Sequence, residues 1–128
     1  MLIYCFRQLE NNFICMHKHS VLSDRALDLV AARFRILGEA SRLKLVQALR
    51  SGEKSVSDLL RATGLAQANT SRHLQTLTEA GILSRRKEGL KVIYSIADPE
   101  IFKLCDHVCG SVQRRFAQHA RLFEDLHP

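Results

Sequence analysis

The chain has 128 residues, a formal net charge of +6 and a sequence pI of about 9.5. This length suits one domain with a modest core, and the basic balance favours a polyanionic partner such as nucleic acid. No apolar run approaches the roughly 18 residues of a membrane-spanning helix, and polar residues break up the first 20 positions, where a secretion signal needs an apolar core. We therefore expect a cytoplasmic protein with no membrane partner, whose four cysteines are reduced thiols.

The first 20 residues show no clean hydrophobic period, so we expect a flexible N-terminal extension over residues 1–20 and a folded domain over residues 21–128. Helices are predicted from Ser23 to Leu37 and from Ser41 to about Ser51, where Gly52 ends the second. The first places Leu27, Val30, Ala31, Phe34 and Leu37 on one face, and the second is expected to bury Leu43, Val46 and Leu49.

A helix-turn-helix is predicted after a short extended piece at residues 54–56. Residues 57–64 form a short helix with Ser57 or Asp58 near its N-cap and Gly64 as its end. The second helix begins near residue 65 and is stopped by Gly81, and its apolar stripe repeats at i, i+4 and i+7. A short helix, a glycine turn and a polar-faced helix are typical of this DNA-binding motif.

The second helix of the motif carries side chains suited to reading DNA. Arginine pairs with guanine, and asparagine or glutamine pairs with adenine, in the major groove. The candidate contacts to bases or phosphates are Gln67, Asn69, Thr70, Ser71, Arg72, His73 and Gln75. His73 is included although its neighbours Thr70 and Leu77 face the core. The alternative is an ordinary amphipathic helix with a polar solvent face.

A basic β-hairpin is predicted directly after this helix. Residues 82–87 and 90–96 alternate like strands around a Glu88-Gly89 turn, and Arg85 lies near its tip. We expect Arg86, Lys87 and Lys91 to act mainly on phosphates. The predicted fold is therefore mainly α with a small β-hairpin, a winged helix-turn-helix.

At this point the chain resembles the ArsR/SmtB family of bacterial winged-helix repressors. The resemblance rests on residues 37–46, on the Ser-Arg-His-Leu helix followed by Glu-Ala-Gly-Ile-Leu within residues 65–83, and on the wing ending in Tyr94-Ser95. It implies a homodimer that binds operator DNA and releases it when a metal ion, metalloid or reactive sulfur species acts on it. It also implies dimerisation through the first and last helices.

The last helix is predicted to open at Asp98-Pro99 and to run to about Leu126. Its apolar residues alternate in steps of three and four, a heptad-like seam that requires a facing helix. The seam consists of Phe102, Cys105, Cys109, Val112, Phe116, His119, Phe123 and Leu126. A twofold partner is the simplest way to cover it in so small a domain.

Cys105 and Cys109 lie four residues apart in this seam, which places their Cα atoms roughly 6 Å apart on one helix face. An intact helix holds them too far apart for a direct disulfide, whereas a thiophilic ion can span them. We expect arsenic, antimony, zinc, cadmium or copper as candidate inducers and no cofactor for DNA binding itself. The alternative is that both thiols are packing in the dimer core.

Further ligands are candidates from elsewhere in the chain. His119 of a partner in an antiparallel dimer would approach the thiols, and Cys15 lies just before the first helix. Asp106 and His119 match by spacing two of the four ligands that the resemblance implies for a zinc site, but Val108 and Leu122 occupy the other two. Met16 is an alternative translation start, and in that case Cys15 would be absent.

The sequence thus predicts a homodimeric repressor with a thiol-based inducer site on its last helix. The alternative is a winged-helix regulator without an inducer site. An enzyme is disfavoured, because the sequence shows no glycine-rich phosphate loop, no nucleophile elbow and no Cys-x-x-Cys pair.

Overall fold

A computed structural model describes residues 3–7, 13–17 and 21–117, the first two ranges as backbone alone. The chain divides into two compact units, residues 1–34 and residues 35–128. No helix among the described residues is long and apolar enough to cross a membrane.

The first unit contains two strands and most of the first helix. Strands β1 (Ile3–Arg7) and β2 (Phe13–His17) pair antiparallel, with Cys5 opposite Cys15. This hairpin lies where only a flexible extension was expected. Helix α1 (Asp24–Leu37) is capped by the Ser23 hydroxyl, which accepts a hydrogen bond from the Ala26 amide at 3.2 Å.

The predicted apolar face of α1 is largely uncovered. Leu27, Val30 and Phe34 are 47%, 42% and 52% exposed, and Leu37 is buried. An exposed apolar helix face is typical of a surface that another chain covers.

The second unit holds the remaining helices. They are α2 (Ala40–Ala48), followed by a 3-10 turn (Leu49–Ser51), then α3 (Val56–Thr63), α4 (Gln67–Glu79) and α5 (Glu100–Phe116). Helix α3 begins one residue earlier than predicted, because Ser55 and Asp58 cap each other reciprocally. Helix α5 begins one residue later than predicted, with Pro99 rather than Asp98 at its N-cap position, and the Asp98 carboxylate accepts from the Glu100 amide at 3.2 Å.

Three antiparallel strands complete the second unit in the order β3, β5, β4. They are β3 (Lys54–Ser55), β4 (Leu83–Glu88) and β5 (Lys91–Ile96). The tight turn between β4 and β5 uses Gly89 at a φ of 63°, a left-handed conformation that glycine adopts at little cost. The β4–β5 hairpin is the wing.

The core of the second unit packs α2, α3 and α4 against the start of the wing and of α5. Its buried residues are Leu37, Leu45, Val46, Leu49, Leu59, Leu74, Leu77, Ile82, Leu83, Tyr94 and Ile101. Helix α2 buries Leu45, whereas Leu43, predicted to be buried, is 41% exposed. This core fixes α4 and the wing in one body.

Candidate nucleic-acid interface and thiol pair

The turn between α3 and α4 and the end of α4 are both set by glycine. Gly64 adopts a φ of 68° and its amide donates to the Leu60 carbonyl at 2.9 Å, which ends α3. Gly81 adopts a φ of 75° and ends α4, and the Ile82 amide then donates to the Leu77 carbonyl at 3.0 Å. The two helices and their turn form the predicted helix-turn-helix.

One face of α4 is buried and the other is a row of exposed polar side chains. Gln67, Asn69, Ser71, Arg72 and Gln75 are all exposed. The Arg72 guanidinium donates to the Asn69 amide oxygen at 2.6 Å, and the Gln75 amide donates to Glu79 at 3.1 Å. These bonds hold long side chains in defined positions on the outer surface, as a base-reading helix requires.

The structure corrects two of the predicted DNA contacts on α4. Thr70 is fully buried and its hydroxyl donates to the Ala66 carbonyl at 2.9 Å. His73 is only 8% exposed, because it lies on the same buried stripe as Leu74 and Leu77. Neither side chain reaches the outer face, so both leave the set of DNA contacts.

His73 instead joins α4 to the junction of α1 and α2. Its Nδ1 lies 3.3 Å from the Arg42 guanidinium, and its Nε2 lies 3.5 Å from Glu39. Arg42 also donates to the carbonyls of Ile36 and Arg35, the latter at 3.3 Å. Because arginine only donates, Nδ1 accepts and Nε2 carries the hydrogen that faces Glu39. The cluster is a polar clamp on the inner side of the recognition helix.

Glu39 has a second role in this clamp, as the N-cap of α2. Its carboxylate accepts a hydrogen bond from the Ser41 amide at 2.9 Å. That backbone hydrogen bond lowers the pKa of Glu39 below its usual value. Burial acts in the opposite direction, and the neighbouring His73 and Arg42 lower the pKa further. Sequence analysis missed both Glu39 and Arg42, although both lie in the motif at residues 37–46.

The basic residues of the wing are not equivalent. Arg86 donates to both carboxylate oxygens of Glu53 and, at 3.0 Å, to Glu88. These hydrogen bonds raise the pKa of Arg86 and satisfy its guanidinium within the protein. Arg86 therefore connects the wing to the loop before β3, and its contact with phosphate stays a prediction. Lys87 and Lys91 are exposed, as predicted contacts should be.

A cleft of about 560 Å³ separates α4 from the wing. It is lined by Val56, Ser71, Gln75, Thr78, Glu79, Arg85, Val92 and Tyr94. Two of the predicted contacts on α4, Ser71 and Gln75, therefore share a space with the wing, whereas Asn69 and Arg72 lie outside it.

Cys105 and Cys109 both line a second, larger cavity of about 950 Å³. Its walls come from α2, the 3-10 turn, the end of α3 and α5, and they include Leu43, Val46, Arg50, Phe102 and Asp106. Cys105 is half-buried and Cys109 is exposed, and both are free thiols. The predicted pair is thus open to small reagents on one side of the helix.

Arg50 and Asp106 control the electrostatics beside the thiols. The Arg50 guanidinium donates to Asp106 at 2.7 Å and lies 4.8 Å from the centre of the Phe102 ring. Burial raises the pKa of Cys105, Arg50 acts in the opposite direction, and Asp106 adds to the rise. Asp106, a predicted extra ligand, is therefore already paired with a cation.

The additional ligands are not assembled by the described part of the chain. No group of three or more His, Cys, Asp or Glu side chains there is placed to hold a metal ion. His119 lies outside the described residues, and Cys15 is described only as strand backbone. Two thiolates fall short of the four ligands of structural zinc sites, but they suit softer, thiophilic ions.

The structure is a winged helix-turn-helix, a class of DNA-binding domain. It has the short helix, the glycine turn, the polar-faced helix and the two-stranded wing that define this class. The model of the arsR family of bacterial regulatory proteins matches residues 39–85. One relative is Rv0081 of Mycobacterium tuberculosis (strain ATCC 25618 / H37Rv), an uncharacterized HTH-type transcriptional regulator. The two sequences are 31% identical over 105 residues, which cover 81% of this chain and 92% of Rv0081. The chain belongs to the ArsR family of DNA-binding transcriptional regulators.

A second relative is a probable mercury resistance operon repressor of Streptomyces lividans. It is 36% identical over 77 residues, which cover 60% of this chain and 62% of the relative.

Solved structures share the fold. The crystal structure of Rv0081 superposes with a TM-score of 0.69 at 30% identity, covering 77% of this chain and 99% of that one. The antimony-specific transcriptional repressor AntR gives a TM-score of 0.68 at 27% identity, covering 78% and 91%. The homodimeric winged helix-turn-helix domain of Mb0332 from Mycobacterium bovis gives 0.65 at 31% identity, covering 77% and 94%.

Proposed function

We propose that this chain is a homodimeric repressor that binds operator DNA and releases it when a thiophilic metal, a metalloid or a reactive sulfur species acts at Cys105 and Cys109. The observation that carries the DNA-binding half is the two-faced α4, polar and exposed outside, clamped by His73 and the core inside. We place the protein in the cytoplasm, where its thiols stay reduced.

The DNA-binding surface comprises residues from α4 and from the wing. Gln67, Asn69, Ser71, Arg72 and Gln75 contact bases or phosphates, and Lys87 and Lys91 contact phosphates. In a twofold dimer, the two copies of α4 enter successive major grooves about 34 Å apart. Support for the dimer comes from the uncovered apolar residues Val108, Val112 and Phe116 on α5, which are 50%, 40% and 44% exposed, and from the homodimeric domain of Mb0332.

The inducer site is supported by the placement of both thiols on one cavity wall. Soft thiolates favour thiophilic ions over magnesium or calcium, and relatives of this chain are named for mercury resistance and antimony. Since α5 is also the apolar helix that we assign to the dimer, ligation there changes the spacing of the two recognition helices. An inducer weakens DNA binding by its differential affinity for the two dimer geometries.

The experiment is a release titration. The reduced protein is bound to fluorescent DNA from upstream of its own gene, and mercury(II), antimonite, arsenite, cadmium, zinc, copper(I) and polysulfide are added separately. At least one reagent should release the wild-type protein. The Cys105→Ser, Cys109→Ser double variant should bind equally well and stay bound.

The control removes a thiol elsewhere in the chain, as Cys5→Ser, and should release like wild type. If the Cys105→Ser, Cys109→Ser variant is released normally by every active reagent, the two thiols are packing. The protein is then the alternative, a winged-helix regulator without this inducer site.

A further inference from the structure

We propose that the cleft between α4 and the wing is a phosphate subsite in which Arg85 holds the DNA backbone. The proposal rests on the proposed DNA-binding function and adds a contact that differs from the predicted wing contacts at Arg86, Lys87 and Lys91. It assigns one phosphodiester group of each half-site to this cleft.

Both walls of the cleft carry hydrogen-bond donors. Helix α4 contributes the Ser71 hydroxyl and the Gln75 amide, which lie one helical turn apart on the same face. The wing contributes the Arg85 guanidinium, with Tyr94 directly across from it in the register of β4 and β5. Hydroxyl, amide and guanidinium groups are the usual protein donors to phosphate oxygens.

The strand register explains why Arg85, rather than Arg86, faces the helix. Side chains alternate along β4, so Leu83 and Arg85 share one face while Arg86 and Glu88 share the other. Leu83 is buried in the core and Arg85 lines the cleft, which identifies that face as the one turned toward α4.

The two arginines also differ in their ion pairs. Arg86 is satisfied by Glu53 and Glu88. Arg85 is exposed and makes no hydrogen bond or ion pair with another residue that the structure describes. An unpaired guanidinium on a residue that shares a cleft with a hydroxyl and an amide is equipped to bind a bidentate anion.

Glu79 fixes where in the cleft the anion lies. Its carboxylate also lines the cleft, and it accepts the Gln75 amide at 3.1 Å near the C-terminal end of α4. The helix dipole is negative at that end as well. A phosphate is therefore repelled from the Glu79 end and lies toward Ser71 and Arg85.

The test measures affinity and its salt dependence by fluorescence anisotropy on two probes, the DNA upstream of the gene and a 30-base-pair duplex of random sequence. Arg85→Gln should weaken binding to both probes about tenfold and lower the salt slope by about 1 per protomer. Arg85→Lys should retain most of the slope. Glu79→Gln should bind both probes more tightly than wild type.

Two controls make the outcome specific. Lys103→Gln on α5 removes the same charge from a lysine that is paired with Glu100 at 3.1 Å, and it should change affinity less than about twofold. Circular dichroism melting should show Arg85→Gln folded like wild type, because this side chain is exposed.

The results distinguish a wrong subsite from a wrong function. If wild type binds but Arg85→Gln matches Lys103→Gln, or Arg86→Gln lowers the salt slope more than Arg85→Gln, the subsite is wrong and the proposed function stands. If Glu79→Gln fails to tighten binding, the placement of the phosphate is wrong. If wild-type protein binds neither probe, the subsite and the proposed function both fall.

Discussion

The Nδ1 atom of His73 accepts from the Arg42 guanidinium at 3.3 Å, and this contact joins the recognition helix to the residues that close α1 and open α2. Arg42 is in turn held by the carbonyls of Arg35 and Ile36. Arg42 thus contacts both the end of α1 and α4. If α1 forms part of the dimer interface, the clamp connects dimer geometry to DNA binding.

His73→Ala should therefore reduce both stability and DNA affinity. The substitution leaves a cavity and removes the acceptor that Arg42 faces in a nearly buried position, and we expect a loss of about 1–3 kcal/mol in the free energy of unfolding. Urea denaturation measures it. Ser71→Ala is the control on the exposed face of the same helix, and it should change affinity alone. An unchanged free energy of unfolding in His73→Ala would show that the clamp does not stabilise the fold.

Arg72→Ala should reduce discrimination at one base pair by about 1–3 kcal/mol, while Lys87→Ala should lower affinity for all sequences alike. Binding to the upstream DNA and to single-base-pair variants of it measures both. Equal losses on specific and random DNA for Arg72→Ala would contradict its role in base reading.

Asn69→Ala should reproduce part of the Arg72→Ala effect, because the Asn69 amide oxygen holds the guanidinium at 2.6 Å. The double variant should then lose less discrimination than the sum of the two single losses. Additive losses in this cycle would mean that the two side chains act independently.

Asp106→Asn should make Cys105 react faster with iodoacetamide at neutral pH. The change removes a charge that raises the pKa of Cys105 and releases Arg50, which lowers it. The reaction is followed by mass spectrometry in a Cys109→Ser background, since one tryptic peptide carries both thiols. The Asp24→Asn variant, altered in α1, is the control and should leave the rate unchanged. A slower rate in Asp106→Asn would contradict this ordering of charges.

The stability of wild type should fall in acid in a way that depends on Glu39. Its pKa is lowered in the folded state, so the ionised carboxylate stabilises the fold above the usual value of 4.5, and this contribution is lost as the pH falls through the lowered pKa. Glu39→Gln keeps the cap but removes the charge. Its melting temperature should lie below that of wild type at pH 6, and the gap should narrow below pH 4.5. A constant gap would contradict the assignment.

Much of the fold was predictable because its signals are local. The left-handed glycines Gly64 and Gly81 end helices as predicted, and Gly89 forms the wing turn. The hairpin of β1 and β2 was missed, although two apolar runs, residues 1–6 and 13–16, flank a polar stretch there, which is a strand signal.

The location of the candidate site was predictable, but the burial and pairing of its individual side chains were less so. His73 follows Thr70 by three positions, so the buried stripe itself could have excluded it from the DNA contacts. The pairing of Arg86 with Glu53 could not be predicted, because the partners lie 33 residues apart and meet only when β4 packs beside the loop before β3. Exposure of Leu27, Val30 and Phe34 likewise depends on tertiary and quaternary contacts.

The most direct test of the central claim, that the outer face of α4 reads DNA, is a DNase I footprint on the upstream DNA with wild type and with the Gln67→Ala, Arg72→Ala double variant. Wild type should protect two related half-sites centred about 10 base pairs, or a multiple of that, apart, and the folded double variant should lose that protection. An identical footprint from both proteins, or no protection by wild type at any concentration, would contradict the account.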